Sequence, residues 1–171
     1  MVRFFTERLI VKSLDGRSNN DRDVVAQAML RIISPSVAFY LPGTLQAIKT
    51  EEEAASWVME QTAQGDLLSV RDSSSQLVIG VVVLTYAPGS DGSTVVRIGY
   101  SLEQVFQGQG LGTELVAGLV DWATNDQQVT KLVGMVEADN AASIKVLEKN
   151  GFRRDTPAPP GMICFEREIS R

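Results

Sequence analysis

The stretch VFQGQGLGTELV at residues 105–116 places three glycines on alternate positions, Gly108, Gly110 and Gly112, immediately ahead of an apolar run with helical spacing. Glycine costs about 0.5–1 kcal/mol in a regular element, and it is used where the backbone takes a positive φ or approaches another group closely. Backbone N–H groups at a helix N-terminus lack intrahelical acceptors and lie at the positive end of the helix dipole. The pattern therefore predicts an anion site, suited to a phosphate, built from main-chain amides.

The absence of histidine limits the chemistry that side chains can perform. The chain has 171 residues, no histidine and a single cysteine, Cys164. This composition excludes Ser-His and Cys-His nucleophile pairs, an internal disulfide and a CxxC-type metal site, so no metal is expected. A lone cysteine is most often a small apolar core residue. Catalysis is left to carboxylates, hydroxyls, backbone dipoles or a bound cofactor.

Length and charge narrow the class of protein. One domain spanning 1–171 is expected, because 44% apolar and 22% charged residues are typical of a globular chain of this size. The longest apolar runs, such as VIGVVVL at 78–84, are far shorter than the roughly 20 residues that cross a bilayer. Glu7 and Arg8 interrupt any signal-peptide core, which predicts a cytoplasmic protein without membrane attachment. A net charge of −5 argues against a nucleic-acid partner and weakly favours a cationic substrate.

Hydrophobic periodicity predicts the elements that must position the glycine loop. Their order is one strand, two helices, three strands, a helix, a strand, a helix and two strands. The predicted strands include 7–14, 67–72, 77–86, 93–102, 131–138 and a last strand MICFEREI, and the predicted helices include VVAQAMLRII before Ser34-Pro35, 51–63, 110–126 and 140–150. Short links predict an antiparallel meander over 67–102, and the helix between strands 93–102 and 131–138 predicts a parallel crossover. Gly151 is predicted at the C′ position of the helix 140–150.

Two familiar phosphate loops do not fit. A dinucleotide fingerprint needs G-x-G-x-x-G, but Thr113 stands where the third glycine is due, and a long antiparallel region precedes the loop. A Walker A loop would need Gly-Lys where Thr113-Glu114 stands. A nicotinamide-dependent oxidoreductase is thus the weakest functional hypothesis.

The glycines belong to a longer pattern. Gln107, Gly110 and Gly112 fit the sequence Q/R-x-x-G-x-G/A, and the segment EADNAASIKVLEKNGF places Asn140 and Ser143 at the start of the next helix. In these motifs the chain resembles the GNAT superfamily of acetyl-CoA-dependent N-acetyltransferases. The opening TERLIVKSL, the N-x-x-S spacing and LEKNGF are most similar to the branch that contains the ribosomal-protein N-terminal alanine acetyltransferases.

The resemblance implies a fold and a cofactor site. The fold would be single-domain α+β, with a mixed sheet of about six to seven strands and about four helices, and acyl-CoA bound where two strands splay apart. Main-chain N–H groups from Gln107 to Thr113 would hold the CoA pyrophosphate, and main-chain groups around Leu102 and the Asn140 side chain would contact the pantetheine arm. The implied cofactor-binding residues are Leu102, Gln107, Gly108, Gln109, Gly110, Leu111, Gly112, Thr113, Asn140 and Ser143. Simple N-capping is an equally good interpretation of Asn140.

The resemblance assigns the catalytic residues less directly than it assigns the cofactor site. Many relatives carry a tyrosine acid seven residues after the asparagine, where this chain has Leu147. The role then passes to Ser143, which the resemblance places near the thiol, although a helix-surface serine is an alternative. Glu137, which closes the strand after the glycine helix, is the first candidate base, and Glu103 is the second. For both carboxylates, an exposed charge at a strand end is the competing interpretation.

Two further positions depart from the family pattern. Asp155 is the acidic residue of the last hairpin, where some members of the branch present a base, and Arg97 stands where relatives often have an acid. Arg97 could face a substrate carboxylate or lie exposed on its strand. The sequence leaves the substrate open for this reason.

The function expected from the sequence is N-acetyl transfer from acetyl-CoA to a primary amine by direct attack. The amine could be a protein N-terminus or a small molecule, and the enzyme a monomer or a homodimer. A non-catalytic CoA-binding or sensing module of the same fold is the alternative from a different class.

Overall fold

The computed structural model describes residues 1–15, 18–34, 43–89, 91–155 and 157–170. The elements in chain order are β1 Arg3–Phe5, β2 Leu9–Ser13, α1 Asn19–Ile32, α2 Gly43–Gln46, α3 Glu51–Gln64, β3 Asp66–Asp72, β4 Val78–Pro88, β5 Thr94–Leu102, a 3-10 turn Gln104–Phe106, α4 Leu111–Asn125, β6 Val129–Glu137, α5 Ala141–Lys149, β7 Arg153–Asp155 and β8 Met162–Glu168. Four of the described helices have nine or more residues, and α2 is a single turn. Pro35, predicted to end the first helix, lies outside the described residues.

The strands form one mixed sheet in the order β1-β2-β3-β4-β5-β6-β8-β7. Eight strands exceed the expected six to seven because β1, which the sequence pattern does not predict, pairs antiparallel with β2 from Arg3↔Lys12 to Phe5↔Ile10. A strand of three residues is too short to show the alternation of apolar and polar positions by which strands are recognised. The predicted α+β class is confirmed.

The chain forms two compact units, of which the first comprises residues 1–83 and 100–109. Helices α1 and α3 begin at side-chain caps from Ser18 and Thr50, and Thr50 forms a full capping box with Glu53. Strands β2 and β3 pair antiparallel. The core of this unit contains Val25, Met29 and Ile32 of α1, Ala54, Trp57 and Val58 of α3, and Leu67 and Val81 of the strands.

The second unit comprises residues 84–99 and 110–171. Strands β5 and β6 pair parallel, as the crossover argument predicts, from Thr94↔Val129 to Ile98↔Gly134. This register ends before the last residue of β6, whereas the antiparallel register of β6 with β8 continues to Glu137↔Met162. Helix α4 is buried along the face that carries Leu115, Leu119 and Ala123.

The end of α5 confirms the predicted glycine cap. Gly151 has φ +75°, its N–H donates to the Glu148 carbonyl at 3.0 Å, and the Phe152 N–H donates to the Leu147 carbonyl at 3.1 Å. This pair of bonds is the Schellman arrangement. Both Leu147 and Phe152 are buried, and a Cβ at Gly134 would lie 3.2 Å from Leu147 Cδ1, so α5 packs closely on β6.

In the described part of the chain, no helix combines the length and apolar character that crossing a bilayer requires.

Candidate anion and acyl-transfer site

The end of β5 is held close to β4 by a glycine. A Cβ at Gly80 would lie 2.5 Å from the Ser101 carbonyl oxygen and 2.6 Å from Leu102 Cδ2, distances that real Cβ atoms do not show. The Glu103 N–H donates to the Ile79 carbonyl at 2.8 Å and continues this pairing one residue beyond the strand. The backbone around Leu102 is therefore fixed by β4, and the Leu102 side chain is buried.

Ser101, beside Leu102, carries a buried hydroxyl that none of the described residues satisfies. Its side chain is 9% exposed, and its Oγ has no hydrogen-bond partner among the described residues. An unsatisfied buried polar group costs about 1–3 kcal/mol, so its presence next to a predicted binding residue points to a ligand. Sequence reasoning missed Ser101. The available signal was a hydroxyl residue between an aromatic and an apolar residue, Tyr100 and Leu102, at the end of the strand.

Glu103, the second candidate base, is engaged in an ion pair. Its Oε2 accepts from Arg31 Nε at 3.3 Å, and Arg31 also donates through Nη2 to the Val78 carbonyl at 3.0 Å. The Glu103 side chain is only 15% exposed. The Glu103 carboxylate is therefore already engaged by Arg31.

A 3-10 turn connects β5 to the glycine loop and determines what Gln107 does. The Gln107 N–H donates to the Gln104 carbonyl at 3.1 Å, and Gln107 Nε2 donates to the Leu102 carbonyl at 2.9 Å. The main-chain N–H of Gln107 is thus already used within the turn, and the binding of a phosphate by Gln107 stays a prediction. The side chain of Gln109 closes the same turn by donating to the Val105 carbonyl at 2.9 Å.

Two of the three alternating glycines take the left-handed conformation. Gly108 has φ +74°, and Gly110, the N-cap of α4, has φ +80° and ψ 0°. Gly112 lies inside α4 and has no positive φ, so the loop uses it differently. Among the described residues, a Cβ at Gly108 would meet nothing within 4 Å. The space beside Gly108 is therefore open to a ligand.

The amides that follow Gln107 have the properties that an anion site requires. The N–H groups of residues 108–113 donate to no backbone or side-chain acceptor among the described residues, and hydrogen bonding within α4 resumes when the Glu114 N–H donates to the Gly110 carbonyl at 3.0 Å. Residues 111–113 begin a helix of 15 residues, Gly110 is its N-cap, and residues 108 and 109 come just before it. The six amides therefore lie at the positive end of the helix dipole. Leu111 offers only its main chain, because its side chain is buried. This donor set suits a diphosphate without any basic side chain.

In the second unit, the start of α5 is built around Asn140. Its side-chain oxygen accepts from the Ser143 N–H at 3.1 Å, and its own N–H donates to the Glu137 carbonyl at 3.0 Å. Asn140 is therefore an N-cap, as one interpretation of the sequence held. Capping uses the oxygen of its amide group and leaves the amide nitrogen for other partners. Ser143 and Glu137 are both partly exposed.

Leu147, at the position of the family tyrosine, is a core residue. It is 1% exposed and packs against Gly134 of β6. A leucine side chain has no polar atom that could donate a proton or a hydrogen bond to a leaving sulfur. Its burial shows that this position contributes to packing in this chain.

The last hairpin brings together Asp155, Cys164 and Glu166, whose ligand atoms lie within 4.8 Å of one another. Glu166 is already bound by Lys131, whose Nζ lies 2.8 Å from its Oε2, and this contact raises the pKa of Lys131. Burial raises the pKa of the Cys164 thiol, which disfavours the thiolate. Cys164 is buried, as expected of a core cysteine. Arg97, for which the sequence left two interpretations open, lies exposed on β5.

A comparison with models of protein families identifies the family of this chain. The model of the acetyltransferase (GNAT) domain matches residues 17–153. The uncharacterized protein YkkB of Bacillus subtilis is 24% identical over 157 residues, which cover 85% of this chain and 84% of that protein. Aminoglycoside N(6')-acetyltransferase type 1 of Klebsiella pneumoniae is 38% identical over 63 residues, which cover 34% of this chain and 31% of that enzyme.

A comparison with solved structures gives the same fold. The ribosomal-protein-S5-alanine acetyltransferase of Vibrio fischeri superposes with a TM-score of 0.77 at 19% identity, covering 99% of this chain and 97% of that one.

Proposed function

The chain belongs to the GNAT acetyltransferase family, and on this premise we propose that it transfers acetyl from acetyl-CoA to a primary amine by direct attack, without an acetylated enzyme. Acetyltransferase activity and acetyl-CoA as co-substrate are properties of the family. The particular amine, the residues that act on it and membership of the ribosomal-protein alanine acetyltransferase branch are parts of the proposal.

One observation carries the proposed cofactor site. The amides of residues 108–113 have no acceptor among the described residues, at the start of a long helix that two left-handed glycines introduce. We assign these amides to the CoA diphosphate. Leu102 and Ser101 are assigned to the pantetheine arm, and the family resemblance assigns Asn140 and Ser143 to the pantetheine and acetyl end. The Ser101 hydroxyl, which has no hydrogen-bond partner among the described residues, supports the assignment of Ser101 and Leu102.

Acetyl-CoA supplies a thioester carbonyl that a neutral amine attacks with release of a thiol. Ser143 is assigned as the hydroxyl that donates a hydrogen bond to the leaving sulfur. Glu137 is assigned as the group that takes the amine proton, directly or through water. Glu137 is preferred to Glu103 because Glu103 is paired with Arg31. An α-amine has a pKa of about 7.7–8.0, so a weak base suffices for such an acceptor.

Direct attack is favoured over a covalent intermediate by the state of the one cysteine. Cys164 is buried, and its raised pKa disfavours the nucleophilic thiolate. Incubation with acetyl-CoA followed by intact-mass measurement is expected to show no acetylated protein that an amine then discharges. A competent acetyl-enzyme would refute direct transfer.

The net charge of the chain and the names of its relatives suggest which amines to test as acetyl acceptors. The net charge of −5 favours a cationic amine, which agrees with the aminoglycoside substrate named for the Klebsiella pneumoniae relative. The Vibrio fischeri neighbour is named for an alanine N-terminus on a ribosomal protein. Both acceptors present a primary amine, so both belong in the test.

The test combines calorimetry with a thiol-release assay. Wild-type protein is titrated with CoA and acetyl-CoA, and thiol release is then measured with an aminoglycoside, a polyamine and a peptide that begins with alanine. The proposal expects binding of both cofactors and turnover with at least one amine. Binding without turnover across the panel would favour the sensing module, and no binding would refute the cofactor site.

A further inference from the structure

We propose that Arg8 is the positioning residue of the glycine loop, and that it orients the loop amides and adds positive charge for the CoA diphosphate. The inference rests on the proposed function for the identity of the anion. Arg8 belongs to the TERLIVKSL segment, for which neither the sequence motifs nor the proposed chemistry supplies a role. Nη1 of Arg8 donates to the Gln109 carbonyl at 3.0 Å, although the two residues are 101 positions apart in the sequence.

The base of the Arg8 side chain is fixed by its own turn. The Thr6 N–H donates to the Leu9 carbonyl at 3.0 Å, and the Leu9 N–H donates back to Thr6 Oγ1 at 3.1 Å. The Ser73 N–H donates to the Arg8 carbonyl at 2.9 Å, which attaches the turn to the end of β3. Leu9 is fully buried. Arg8 therefore extends from a rigid support, and ordering its side chain costs less entropy than it would from a mobile loop.

The geometry of the peptide group explains why this contact matters. A trans peptide is planar, and its N–H points opposite to its C=O. When Arg8 holds the Gln109 carbonyl, it also fixes the direction of the Gly110 N–H on the other side of the same peptide plane. Gly110 is the left-handed N-cap of α4, and its amide is one of those without an acceptor among the described residues. Arg8 thus preorganises a donor of the proposed diphosphate site.

Charge gives Arg8 a second effect. A guanidinium stays protonated at all ordinary pH values, and this chain has a net charge of −5. The cofactor assigned to the loop is a polyanion. Apart from the dipole of α4, the loop segment 105–113 itself carries no basic residue, so Arg8 is the cation that the hydrogen bond brings to it.

The matched experiment compares Arg8→Gln with Arg3→Gln. Arg3 is an exposed arginine in β1 that stacks on Phe5 at 4.9 Å, so both variants change the net charge equally. Calorimetry measures the Kd for CoA and for pantetheine, which lacks the diphosphate, and ¹⁵N relaxation measures the Gly110 amide order parameter without ligand. We expect Arg8→Gln to raise the Kd for CoA by about tenfold, to leave pantetheine unchanged and to lower the Gly110 order parameter. Arg3→Gln should change none of these quantities.

The outcomes separate this inference from the proposed function. If wild-type protein fails to bind CoA, the proposed function is wrong, while the Gly110 order parameter still decides whether Arg8 holds the loop. If wild-type protein binds CoA and the two variants bind it within about twofold of each other, the Arg8 inference is wrong. If Arg8→Gln does not fold, Arg8→Lys replaces it. Lysine keeps the positive charge but lacks the planar guanidinium fork. Arg8→Lys should therefore lower the Gly110 order parameter and raise the Kd for CoA by less than tenfold. Wild-type values for both quantities would overturn the inference.

Discussion

Adding one methyl group at Gly108 tests whether the open space beside the loop belongs to the diphosphate. Gly108 has φ +74°, and a Cβ there would meet no atom of the residues that the structure describes within 4 Å. Alanine therefore introduces backbone strain without a clash against them. The strain of a non-glycine residue in this region is about 1–2 kcal/mol. The chain offers a matched control, because Gly92 has φ +82° and equally open surroundings in the turn between β4 and β5.

The two variants should behave alike in stability and differently in binding. Urea denaturation is expected to show that Gly108→Ala and Gly92→Ala each lower the free energy of unfolding by about 1–2 kcal/mol. If the strained loop relaxes and must be restored on binding, that energy corresponds to a 5- to 30-fold rise, roughly, in the Kd for CoA. A clash between the new Cβ and the diphosphate would add to this loss. Calorimetry should find the rise for Gly108→Ala alone.

A third variant separates strain from bulk. Asparagine tolerates the left-handed region better than alanine but also adds a Cβ. Gly108→Asn should therefore be more stable than Gly108→Ala and still bind CoA weakly. The reasoning is refuted if Gly108→Ala binds CoA as wild type does, or if Gly92→Ala loses as much affinity.

Four other substitutions test the acyl end of the site. Ser143→Ala should lower kcat by about tenfold or more while the Kd for CoA stays constant, because the hydroxyl is assigned to the leaving sulfur. An unchanged kcat in the thiol-release assay would show that Ser143 is a surface residue of the helix without a catalytic role. Glu137→Gln should lower kcat/KM for the amine, whereas Glu103→Gln should leave it near the wild-type value, and the reverse order in steady-state kinetics would exchange their assignments. Ser101→Ala should raise the free energy of unfolding of the ligand-free protein, by up to about 1 kcal/mol, because it removes an unsatisfied buried hydroxyl; a decrease measured by urea denaturation would show that the hydroxyl has a partner in the ligand-free protein.

Features that depend on neighbouring residues were readable from the sequence. The left-handed glycines and the cap of α5 are set by backbone conformations that only certain residues adopt at low cost. Gly108, Gly110 and Gly151 all take the positive φ that their positions indicated. The parallel pairing of β5 with β6 followed in the same way, because a helical crossover leaves few alternatives. Local constraint thus determined the α+β class, most elements and the helix start that exposes the loop amides.

Features that depend on distant residues appeared only in the tertiary structure. No pattern in the sequence indicates that Arg8 reaches Gln109 or that Arg31 occupies Glu103. The same holds for the burial of the Ser101 hydroxyl without a partner in the described part of the chain. These properties arise when segments far apart in the chain pack together, and burial and pairing are properties of the packed surroundings rather than of the residue type. The sequence by itself predicted where an anion would bind, and the tertiary structure decided which of the candidate side chains are already engaged by distant residues, because such contacts form only when the chain packs.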